Sequence, residues 1–304
     1  AGPVFSPDGA HLAYAARRGE EWVVVFDGQE GPAWDAIGEN DPAFSAGGSH
    51  WAYVARQGGQ WHAVIDGAAG PPTEGCEIDF SPDGRRVAIV ALTGGEVRVI
   101  VDGQEGPPLD RVLFRGPVFS ADGRRWAGVG LRAGRQVLVI DGQESGEPGL
   151  ALLAPPLFSS DGGRLALLGE AAGRPRVVVD GAPGAAWDEV EPRSLQFSAD
   201  GLRFAYAARR GDNWRIVADR KERREYDWIP EGSPAFSAPG ARLVYAARRG
   251  ENWRVVVEDQ EGPPCSGLGA ADPVLGPGDR VAYLAAFGDS LRVIADGVPG
   301  RGYE

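Results

Sequence analysis

Short apolar runs alternate along the chain with turns rich in glycine and acidic residues. The first stretch reads "PVFS", then the turn "PDG", then "HLAYAA", in which apolar and small residues alternate. After "RRG" comes "EWVVVF", a β-branched and aromatic run, followed by "DGQEG" and "AWDAI". Alternation with a period of two and β-branched blocks of this length read as strands. Asp-Gly between two such runs is the strongest short hairpin signal, because its turn needs positive φ. The pattern predicts four strands, with "DGQEG" as the tip between the third and fourth and "AWDAI" as the fourth. No segment offers a helical period over ten residues.

The unit recurs. "FSPDG" starts at Phe5 and Phe80, with variants at Phe44, Phe119, Phe158, Phe197 and Phe236 and a degenerate copy, "LGPGD", from Leu275. Successive spacings are 39, 36, 39, 39, 39, 39 and 39 residues. Asp27, Asp102, Asp141, Asp180 and Asp219 each stand 17 residues before the next marker, and Glu258 holds that place in its repeat. Asp66 stands 14 before Phe80, so the short repeat lost three residues after its Asp-Gly turn. A four-stranded antiparallel sheet repeated at about 40 residues is the signature of a propeller blade. One such sheet cannot bury both faces alone, and closure into a ring covers each blade with its neighbours. The expected fold is therefore all-β, an eight-bladed β-propeller forming one domain over 1–304.

"FSPDGRRVAIVA" at 80–91 and "FSADGLRFAYAA" at 197–208 resemble the WD-repeat-like repeat of bacterial TolB-type propellers. The resemblance runs over essentially the whole chain. It implies the propeller fold and a role as a binding platform or as companion to an enzyme domain. No hydrolase domain follows the repeats, so the peptidase branch is not supported.

Tyr303 aligns with Trp34 and Glu304 with Asp35, and the partner of Ile37 is missing. The last blade is thus expected to carry a truncated fourth strand. Either it closes with a short outer strand or its open edge takes a strand from another molecule.

Composition narrows the partners. The net charge of −12 argues against a general nucleic-acid binder, since phosphate contacts need a basic surface, and against anionic membranes. No stretch approaches the roughly 18 apolar residues of a membrane span. The chain has no Met, even at its start, so a processed or a trimmed product is expected, with an extracytoplasmic location if Ala1 is a mature N-terminus. Two cysteines, Cys76 and Cys265, are too few for a disulfide scaffold and fall in distant blades. Buried thiols are expected, with an intermolecular bond as the alternative.

Candidate chemistry is sparse. Asp35, Asp110, Asp188 and Asp227 share one place, nine residues before the next marker, and read as hydrogen-bond acceptors for a neighbouring turn. His11 and His50 share another place, just past the first turn, and His62 stands apart. No Cys or acidic cluster accompanies them with metal-ligand spacing, and no "GxSxG" occurs. Neither a cofactor, a metal nor a catalytic constellation is expected.

Arginine says more. "AARRGEEW", "AARRGDNW" and "AARRGENW" place Arg17 and Arg18, Arg209 and Arg210, and Arg248 and Arg249 on the turn between second and third strands of blades one, six and seven. These form either a salt-bridged rim or a basic arc for an acidic partner. Trp22, Trp214 and Trp253 follow them as blade packing. In blade six the acidic tip becomes "DRKERREYD", with Arg220, Lys221, Arg223 and Arg224, the best single candidate for a specific contact, the acidic tips of another copy included. Two function classes stay open: a non-enzymatic interaction or self-assembly module, and a ligand-binding or hydrolytic propeller using its central channel. Asp79 and Gln196 are the polar exceptions on strands otherwise lined by Pro, small and apolar residues.

Overall fold

The Asp-Gly turns set the architecture. In a computed structural model describing residues 2–39, 42–146, 149–238, 242–269 and 273–303, Asp27 has φ 48° and Gly28 φ 80°. Positive φ at both central residues is the type I′ geometry, whose twist matches that of paired strands. The equivalent Asp66, Asp102, Asp141, Asp180, Asp219, Glu258 and Asp296 all lie between 49° and 53°. Each closes the hairpin between a third and a fourth strand.

In blade one the strands are Val4–Phe5, Leu12–Arg18, Glu21–Phe26 and Gln29–Trp34, paired in chain order. Eight sheets of this antiparallel kind follow one another, making the protein an eight-bladed β-propeller. The one helical turn among the described residues is a 3-10 turn at Pro192–Ser194. By its contacts the chain divides into two units, Ala1–Pro148 and Gly149–Glu304, with four sheets in each.

The fourth strand differs from expectation. It begins directly after the Asp-Gly turn and ends at Trp34, so "QEG" is strand rather than turn. Asp35, Ala36 and Ile37 already belong to the next blade: Ala36 pairs with Arg56 and Ile37 with Ala55. Asp35 explains the switch. Its N–H donates to Arg56 O at 2.8 Å and its carboxylate accepts from Gly58 N at 2.8 Å, both in blade two. The first strand of blade two therefore comes in two pieces, Ala36–Ile37 and Ala43–Phe44, on one partner strand.

This corrects the expectation of a truncated last strand. The fourth strand of blade eight, Val298–Tyr303, has six residues, as does Gln29–Trp34. Its register of Leu291 opposite Tyr303 matches Trp22 opposite Trp34. The residues that seemed missing are of the kind that serve a following blade.

The "FS-x-DG" motif is a turn lock. Ser81 is buried, accepts from Arg86 N at 3.0 Å and donates to Asp83 Oδ1 at 2.5 Å. Ser6, Ser120, Ser159 and Ser198 do the same with Asp8, Asp122, Asp161 and Asp200. Ser237, in the motif that lacks its Asp, donates instead to Asp279 of blade eight at 2.5 Å.

Packing runs from blade to blade. Val244, Val255 and Cys265 of blade seven are buried against Val281, Tyr283, Ala285 and Ile294 of blade eight. Fully burying side chains of this size stabilises by about 1.5–3 kcal/mol each.

Candidate functional site

That packing makes the two end blades stand out. In register, Leu284, Leu291, Val293 and Tyr303 of blade eight correspond to Ala246, Trp253, Val255 and Cys265 of blade seven. Val255 and Cys265 are 1% and 3% exposed, under the face of blade eight. Val293 and Tyr303 are 50% and 67% exposed, and Leu284, Leu291, Val274 and Val298 are exposed beside them. Contiguous exposed apolar faces of this kind are uncommon on the surface of a single chain.

Blade one shows the complementary case. Leu12, Tyr14 and Ala16 correspond to Leu243, Tyr245 and Ala247, which are at most 1% exposed where blade seven meets blade six. In blade one all three are only half-buried, and Phe5 is 67% exposed. Within the first unit, no blade precedes blade one to cover this face. Within the second unit, no blade follows blade eight to cover its outer face.

The arginine turns are mostly engaged. Arg18 pairs with Glu30 at 2.6 Å, and Arg209 with Glu189 at 2.8 Å. Arg210 reaches Glu222 at 3.4 Å and lies 4.3 Å over the Trp187 ring. Arg249 donates to Glu225 O at 2.9 Å and lies 4.8 Å over Tyr226. Arg248 lies 5.9 Å over Trp253. Among the described residues, Arg17 and Arg248 make no ion pair.

Three of the four cations at the blade-six tip find partners within the chain. Arg220 takes the glycine position at φ 66° and donates to Val179 O at 2.9 Å and Ala182 O at 3.3 Å in blade five. Arg223 pairs with Asp259 at 2.5 Å, and Arg224 lies 3.7 Å from Glu261. The acidic tip that these two cations meet is that of blade seven in the same chain. Lys221 is exposed and makes no ion pair among the described residues.

The repeated carboxylates serve turns. Asp110, Asp188 and Asp227 accept from Ala133, Gly211 and Gly250 N at 2.8, 2.7 and 2.6 Å, as Asp35 does from Gly58. Sequence reading missed a second carboxylate pattern. His11 and His50 contact Asp27 and Asp66 at 2.6 and 2.7 Å. The same place in other blades holds Arg86, Arg125, Arg164, Arg203 and Arg280, each paired with the Asp that opens its own hairpin turn. The signal was a fixed spacing of 16 residues between the two partners. His62 contacts Gly70 O at 2.9 Å. Asp79 accepts from Phe80 N, and Gln196 donates to Pro234 O. Cys265 is buried, which pushes its thiol up, and Cys76 is half-buried. Among the described residues no group of three His, Cys, Asp or Glu stands as a metal cluster, and no helix is long and apolar enough to cross a membrane.

The class the sheets define is the β-propeller. No family model and no curated protein matches the chain. Solved structures similar to it include TolB from Acinetobacter baumannii, at 14% identity over 81% of this chain and 75% of that one, TM-score 0.34. The Cps50 (Swd1) β-propeller domain of Myceliophteria thermophila is 15% identical over 81% and 92%, TM-score 0.30. The Dos1 propeller is 11% identical over 100% and 84%, TM-score 0.36. Likeness at these identities concerns fold alone.

Proposed function

We propose that this protein is a non-enzymatic assembly module whose copies join blade face to blade face. The reading rests on one observation: blade one at the start of the first unit and blade eight at the end of the second present apolar side chains on faces that are buried at blade junctions inside a unit. The occupant of the blade-eight face is the face of blade one in a second copy, around Phe5, Leu12 and Tyr14. Such a contact is heterologous, so repetition yields closed rings or open filaments. The internal use of the basic tip and of most turn arginines leaves these apolar faces as the stronger attachment points.

Sedimentation velocity and electron microscopy across a concentration series test the proposal. Particle mass should rise with concentration. A variant carrying Leu291→Asp and Val293→Asp, both at exposed positions, should remain a single chain with the wild-type circular dichroism spectrum. Single wild-type chains at every concentration, or unchanged assembly of the variant, would overturn it.

A further inference from the structure

Between the third and fourth blades, within the first unit, lies a cleft of about 470 Å³. Its origin is in the repeat. The three residues lost before Phe80 leave blade three with an unbroken first strand, Gly75–Phe80, paired over all six residues. Blade four keeps the full length but absorbs it as a bulge between Leu113 and Val118 in the strand Arg111–Phe119. Phe114 and Arg115 have φ 57° and 64° and Gly116 has 109°. Two consecutive non-glycine residues in the left-handed region cost about 1–2 kcal/mol each, and strain of this kind gathers at binding sites.

The wall chemistry is mixed. Glu77 stands opposite Val90, Gly75 opposite Leu92, and Leu92 opposite Val97, so all five share one face of blade three. Further along, that face packs Val99 and Val101 on Phe119, Trp126 and Val139 of blade four. Glu77 and Asp79 are thus two exposed carboxylates on a face that is otherwise mostly glycine and apolar residues; Glu77 borders the cleft, and Val112 and Arg115 line it from blade four. Neither Glu77 nor Arg115 makes a side-chain hydrogen bond or ion pair among the described residues. The cleft's size lies within the range of small-molecule sites, about 300–1,000 Å³.

We propose that this cleft binds a small zwitterion with an apolar body, an aliphatic amino acid or a short apolar peptide. Arg115 takes the carboxylate through its planar fork, Glu77 takes the ammonium, and Val90, Leu92 and Val97 receive the side chain. The inference does not depend on the assembly reading, since the cleft lies on neither end blade.

Calorimetry with leucine, dileucine, N-acetyl-leucine and leucine amide tests it. Leucine or dileucine should bind, and blocking either charged end should weaken binding roughly ten- to a hundredfold. Dileucine binding far more tightly than leucine would identify a peptide site, and equal binding a free amino-acid site. Arg115→Asn, chosen because Asn tolerates positive φ, should weaken the zwitterion by a similar factor. Glu77→Gln should remove the preference for leucine over N-acetyl-leucine. The proposal fails if none of the four gives heat up to roughly 1 mM, or if binding is unchanged in both variants.

Discussion

Arg203 of blade six donates from Nη1 to Oε1 of Glu258 in blade seven at 2.8 Å, while its Nε reaches Asp219 at 2.9 Å. The same Glu258 oxygen accepts from Leu243 N at 2.7 Å, and Arg223 lies 3.8 Å from the other oxygen, Oε2. One carboxylate thus ties its own turn to two cations of the preceding blade. Burial alone would raise the Glu258 carboxyl, but the Arg203 hydrogen bond and the Leu243 amide outweigh it and hold it low. Glu258→Gln should destabilise the protein by about 1–2 kcal/mol, the lower range for hydrogen bonds to charged groups. Urea denaturation checks this through the midpoint at constant slope. Lys221→Ser, at an exposed cation without such a partner, is the control and should stay within about 0.5 kcal/mol of wild type.

Blade count and turn chemistry were legible in the sequence because both repeat: the place of Asp27 has positive φ in every blade, and only a few residue types supply it readily. Strand boundaries were less legible. "AWDAI" has the composition of one strand, and only the tertiary pairing of Asp35 with Arg56 and Gly58 splits it between two blades. The blade-six tip stood out as cationic, but its partners lie about 36 to 41 residues away in sequence, in the neighbouring blades, where no local pattern reports them. The cleft at Glu77 and Arg115 left a trace in the 36-residue spacing, yet a deletion in a sequence does not say what shape the remaining chain leaves. Exposure of Val293 against burial of Val255 is a property of packing alone, since both are valines in the same register.

The turn locks make a prediction about acid. Hydrogen bonds from Ser6, Ser81, Ser120, Ser159 and Ser198 are the largest cause holding Asp8, Asp83, Asp122, Asp161 and Asp200 below the ordinary value of 3.8. A carboxyl lowered on folding binds fewer protons in the native state than in the unfolded chain. Its contribution is therefore fully present above the unfolded value and is lost as pH falls through the lowered native one. Stability measured by urea midpoint should be level near neutrality and fall below about pH 4. Replacing Asp83, Asp122 and Asp161 together by Asn should lower the midpoint at neutral pH and flatten the acid limb. An acid limb of unchanged steepness would assign acid sensitivity to other carboxylates.

Gly201 joins two such turns, and its substitution separates backbone strain from crowding. It has φ 73°, and a Cβ there would stand 2.6 Å from Oδ1 of Asp161 in the preceding blade. Gly181 has nearly the same φ, 74°, with nothing within 4 Å of its Cβ position. Gly181→Ala should cost only the left-handed conformation, about 1–2 kcal/mol. Gly201→Ala carries that cost and also displaces Asp161, which then gives up its hydrogen bonds to Ser159 and Gly163 N. The expected result is a clearly larger loss at Gly201 in paired urea titrations. At low pH, where Asp161 is protonated and its lock already weakened, the gap between the two variants should narrow. Equal costs at neutral pH would mean that neighbouring turns move independently and that the motif acts only within its own blade.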